Sequence, residues 1–132
     1  MGPIEQHFQW AVQALAQSAN VQPTLFPSFV VVADELALDF DNWRQSFHAN
    51  FGTSWSAEQR RAVEALDEHL SEMSGDKPEL WDGKDCLQHA KWSEVRLLAK
   101  DVLAAFEWSS YVPPTNRSLY VQCEVNPKKT DQ

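Results

Sequence analysis

The sequence predicts an all-α protein, a compact bundle of about four amphipathic helices followed by an extended C-terminal arm. Three observations carry that prediction. Apolar residues recur at steps of three and four through four separate stretches, the spacing that lines side chains along one face of a helix. Ser56 and Gln59 occupy the two positions of a capping box. Between the stretches stand residues that end or resist helices: Asn20 with Pro23, Gly52, Gly75, and the Pro113–Pro114 pair.

The first helix is expected over Pro3 to Ala19, because a proline is tolerated in a first turn where its missing N–H has no partner to lose. Ile4, Phe8, Ala11, Val12 and Leu15 form its stripe, with Trp10 off it. The second is expected over residues 28–49, opened by Pro27, with Phe29, Val32, Leu36, Phe40, Trp43 and Phe47 as one stripe. A hairpin competes there, since Val30, Val31 and Val32 favour a strand and Leu36, Leu38 and Phe40 alternate. The helical stripe explains more positions.

The third helix starts at Ser56 and buries Val63, Leu66, Leu70 and Met73, with Gly75 suited to the residue just past its end. Residues 75–91 read as a loop with one short helical turn around Lys84–His89. The fourth helix is expected from Ser93 to near Trp108. Trp92 and Leu97 are placed as a hydrophobic staple, and Val95, Leu98, Ala99, Val102 and Phe106 as the buried face. Leu119, Val121, Cys123 and Val125 alternate with polar residues, as in an edge strand or a packed extended arm. The reading is therefore a single helical domain over 1–126 and a tail over 127–132.

With 132 residues and 43% apolar composition, the chain has the size and content of one folded domain. No apolar run is long enough to span a membrane. Met1 to Gln9 lacks the basic start and apolar stretch of a secretory leader. Two widely separated cysteines, Cys86 and Cys123, do not make a disulfide framework and are expected as reduced thiols in the cytoplasm.

The net charge of −8 is concentrated. Residues 34–82 hold twelve acids against four bases, and the rest of the chain is neutral. Such a field draws basic partners and repels nucleic acid, so no direct nucleic-acid binding is expected.

Catalytic and metal chemistry find little support. Cys86 and His89 have a chelating spacing, but the other ligands would have to come from Cys123, His7, His48 or His69, with no motif among them. No histidine follows an acid by three residues, as a helical di-metal site requires. No nucleophile motif is present, and four glycines, Gly2, Gly52, Gly75 and Gly83, build no phosphate-binding loop. No catalytic residue, metal or cofactor is expected.

A contact surface is the better candidate. On a helix over 28–49, Val31, Asp34, Leu38 and Asp41 fall opposite the apolar stripe, flanked by Glu35 and Asp39. Aliphatic residues ringed by carboxylates suit an apolar contact with a charged rim. The competing use is internal: a central helix buried on two sides would take Val30, Val31 and Leu38 into the core. In general character the chain resembles the small acidic inhibitors of nucleases. That likeness implies an inhibitor or immunity-type protein masking a basic partner, such as a toxin, a nuclease or, for a DNA mimic, a DNA-binding protein. Two other classes stand beside it. One is a self-associating protein, for which a twofold contact through residues 34–41 is electrostatically disfavoured and one through Trp10 is not. The other is an enzyme of unidentified type. A monomer or homodimer is expected.

Overall fold

A computed structural model describes residues 2–83 and 85–115. The helices are α1 (Pro3–Ala16), α2 (Val32–Phe51), α3 (Ala57–Met73), the single turn α4 (Pro78–Trp81) and α5 (Ala90–Ala105). Short 3-10 turns at Gln22–Leu25, Gly52–Ser54 and Cys86–Gln88 join them. No strand occurs among the described residues, so the all-α expectation holds and residues 32–51 form a helix and not a hairpin. The alternating segment 119–125, Cys123 and the expected tail 127–132 lie outside the described residues.

The long helices pack as α2 on α1, α1 on α5 and α5 on α3. The middle places belong to α1 and α5, which explains their composition. In α1, every residue from Ala11 to Ala16 is buried, because neighbours cover it on both sides. Its run of small and medium side chains lets two helices approach closely. In α5, Trp92, Val95, Ala99, Val102 and Leu103 are buried, a band wider than one stripe.

Helix ends explain where the expected boundaries moved. The first helix stops at Ala16, three residues early, because Gln17 turns extended and its side chain goes to other use. Gln22, fully buried, donates through Nε2 to the carbonyls of Ala14 and Leu15, satisfying acceptors that a helix C-terminus leaves open. Gln17 Nε2 donates to the Ser110 and Tyr111 carbonyls, and Gln13 Nε2 to that of Ser109. These glutamines fasten the extended segment after α5 along α1.

The second helix starts at Val32 and not at residue 28. Phe29 therefore leaves the stripe and stands 73% exposed. Pro27 opens a turn over Ser28 and Phe29, closed by the Val30 N–H on the Pro27 carbonyl, and Val31 is extended as the N-cap of the helix. The third helix begins as expected: Ser56 Oγ accepts from the Gln59 N–H at 3.1 Å and Gln59 Oε1 from the Ser56 N–H at 2.9 Å. Val63, Leu66, Leu70 and Met73 are its buried residues, and Gly75 turns the chain with φ 109°.

The expected staple of α5 does not form. Trp92 is wholly buried inside the helix and Leu97 is 63% exposed. The helix begins at Ala90, capped by the His89 ring, whose Nδ1 accepts from the Lys91 N–H at 3.0 Å. It ends in a Schellman motif, with the Trp108 N–H on the Leu103 carbonyl and the Glu107 N–H on that of Ala104. Glu107 fills the left-handed position, φ 61°, that glycine normally takes. The motif folds Trp108 back onto Phe106, ring centroids 4.7 Å apart.

Candidate functional site

α2 carries the expected contact residues, and its placement decides which of them face solvent. It packs on α1 through Ala33, Leu36, Phe40 and Phe47. The middle positions of the bundle go to α1 and α5, so α2 is not covered on two sides. Val31 is 55% exposed and Leu38 61% exposed. Val30 alone of the three contested aliphatics is partly packed against the core.

The carboxylates around them divide into three kinds. Asp34 is exposed in the first turn of α2, where its charge also favours the helix dipole. Asp41 is engaged within the chain: Arg44 Nη2 and Gln45 Nε2 each donate to it at 2.9 Å. Arg44 also lies 3.3 Å from Asp67 on α3, which ties α2 to α3. Glu35 and Asp39 lean inward and are half-buried. Burial, with the Glu35 charge adding to it, pushes the Asp39 carboxyl up from 3.8 to about 6. Of the six expected residues, Val31, Asp34 and Leu38 therefore stand together in solvent, Asp41 continues the same face with its carboxylate held by Arg44 and Gln45, and Glu35 and Asp39 are half-buried.

The structure adds residues that linear sequence did not connect with this face. Trp81, at the end of α4, stands between two cavities beside α2. One, of about 450 Å³, includes Val31, Ala33, Asp82, Cys86 and Leu87 in its lining. The other, of about 490 Å³, includes Asp34, Ala37, Leu38 and Gly75. Trp81 lines both. Its indole Nε1 donates to the Met73 carbonyl at 2.8 Å, closing the end of α3. Its ring meets the edge of Trp92 at 5.3 Å and 80°, and Trp92 Nε1 donates to the Leu80 carbonyl at 2.7 Å. The wall between the cavities is thus held from both α3 and α5. The only sequence signal for it was a tryptophan in an acidic loop.

Cys86 lies in the first cavity's lining, and burial pushes its thiol up, with Asp34 and Asp82 adding to the effect. That is opposite to the depressed pKa of a nucleophilic cysteine. The Nδ1 of His89 is occupied in capping α5. Among the described residues, no group of three or more His, Cys, Asp or Glu side chains could hold a metal ion. No described helix is long and apolar enough to cross a membrane.

Trp10, the other candidate contact point, is half-buried against the edge of Phe26 at 5.5 Å and donates its Nε1 to the Pro114 carbonyl. The chain matches no protein-family model, no curated protein and no solved structure.

Proposed function

We propose that this chain is an acidic protein-binding domain of the inhibitor or immunity type, which masks a basic partner such as a toxin, nuclease or DNA-binding protein. Its docking face is the exposed side of α2, with Val31 and Leu38 as apolar contacts and Asp34 as the charged rim. The observation that carries the reading is the exposure of both aliphatics on either side of a solvent-facing carboxylate. A helix that needed them for its own packing would have buried them.

Charge supports the same reading. Three of the four bases within 34–82 are turned to the chain's own acceptors: Arg44 to Asp41, Arg60 to the Gly52 carbonyl and Lys77 to the Glu72 carbonyl. Four of the five acids of α3, Glu58, Glu64, Glu68 and Glu72, are exposed. They supply a field that speeds encounter with a cationic protein. Glu35, Asp39 and Asp41 contribute to that field from partly covered positions.

The test is capture from source-cell lysate on the immobilised protein at low and high salt. A basic protein should be retained at low salt and released at high salt. Asp34→Lys and Leu38→Asp, both at exposed positions, should abolish retention while the fold is kept, with Asp34→Lys lowering the thermal midpoint slightly through the lost dipole contact. Retention by both variants would remove this face from consideration. A salt-insensitive homodimer with no captured protein would instead favour self-association.

A further inference from the structure

We infer that the cleft around Trp81 recognises a basic amphipathic helix, whose apolar side chains enter the two cavities flanking Trp81 while its lysines or arginines meet Asp34 and Asp82. The inference rests on the proposed masking of a basic partner and specifies what that partner presents.

The two cavities have matching parts. Each has Trp81 as a wall, one exposed aliphatic residue and one exposed carboxylate: Val31 with Asp82 in the first, Leu38 with Asp34 in the second. Among the described residues, neither lining includes a lysine or arginine. An apolar cleft with two carboxylates and no described base on its lining fits a cationic segment and disfavours anionic lipid, nucleic acid or an acidic peptide.

Spacing points to a helix. Val31 and Leu38 are seven residues apart, about 10 Å along the axis at the helical rise. That is two turns, the separation of i and i+7 anchors in a helix-in-groove contact. The wall between the anchors is already fixed by the Met73 hydrogen bond and the Trp92 contact, so binding need not order it.

The test uses the full isotope-labelled chain at low salt with two synthetic peptides of equal length: an amphipathic leucine–lysine helix and an all-lysine control. The leucine–lysine peptide should shift the Trp81 indole N–H and the Val31 and Leu38 methyl signals. It should also bind about tenfold or more tighter than the control. Leu38→Asp and Val31→Asp should each remove most of that preference, and Asp34→Lys should weaken both peptides together, each change being at an exposed position and leaving the unbound spectrum elsewhere unaltered. Equal binding of the two peptides with no shift at Trp81 overturns the cleft and leaves the masking of a basic partner standing. Binding of neither peptide overturns both.

Discussion

Toward its C-terminal end α2 buries Phe47 among aromatic rings, and toward its N-terminal end it leaves Val31 and Leu38 exposed. At the C-terminal end, Phe47 packs within 5.1 Å of Phe8, 5.3 Å of Trp55, 5.8 Å of Phe106 and 6.2 Å of Trp108, measured between ring centroids. At the N-terminal end, Val31 and Leu38 stand in solvent beside two cavities. The neighbours explain the contrast. Near Phe47, α1, the α2–α3 corner and the Schellman turn after α5 converge. Near Val31, the neighbouring elements are a one-turn helix and a 3-10 turn, which cannot cover a two-turn stretch. The open end is therefore not a defect of a poor core, because the other end of the same helix is densely filled.

The largest expected effect comes from breaking the filled end. Phe47→Ala removes the ring that the others surround and should cost roughly 3–5 kcal/mol of stability, measured by urea denaturation. A loss near 1 kcal/mol would mean that the aromatic end collapses easily around a cavity. The contrast between the two ends would then be one of degree.

Asp39 lies between the two ends and reports on how wet the middle of α2 is. Its carboxyl is raised from 3.8 to about 6 in the folded protein. The folded state therefore holds this proton more tightly than the unfolded chain, and the contribution to stability falls as pH rises from 3.8 to 6. Above that window the charged form is carried at a cost of order 1 kcal/mol, after allowance for solvent screening. Asp39→Asn should flatten the difference in denaturation midpoint between pH 4 and pH 7 relative to the parent chain. An unchanged pH slope would show that Asp39 is solvated as an ordinary surface acid.

A smaller change should sharpen the contrast. Glu107 holds a left-handed conformation so that the chain can return Trp108 to the aromatic cluster. Glu107→Gly relieves that strain and should stabilise the fold by roughly 0.5–1 kcal/mol, read as a rise in thermal midpoint.

Much of this architecture was legible in the sequence because it is local. The capping box at Ser56 and Gln59 and the buried face from Val63 to Met73 depend on residues three and four apart, and both form. Where two neighbours compete for a helix, periodicity loses its phase. Trp92 fits a staple as well as a core position, and only packing of α5 against both α1 and α3 decides between them. Phe29 continued the arithmetic of the α2 stripe, but the chain turns at residues 28–30 after Pro27 and the helix begins only at Val32. At the candidate site, Val31, Asp34 and Leu38 could be recognised from their place opposite the stripe. Trp81 and Asp82 could not, since they reach α2 only through the turn after α3. The cap supplied by His89 carried no usual sequence signal, because histidine is not among the preferred N-cap residues.

The smallest expected stability effect is the most telling for function. Leu38 is 61% exposed, and its side chain is absent from the cluster that holds the fold together. Leu38→Ser should therefore change stability by less than about 0.5 kcal/mol. The same change should lower affinity for a helical cationic probe markedly, since it removes the aliphatic residue of one cavity and leaves the charge of Asp34 in place. A surface residue that matters to neither fold nor partner would leave both measurements unmoved, and one that belongs to the core would move both together. Loss of binding with stability retained is the pattern expected of a side chain kept outside for a partner. Measured beside Phe47→Ala, it asks whether the two ends of α2 differ in purpose as well as in packing.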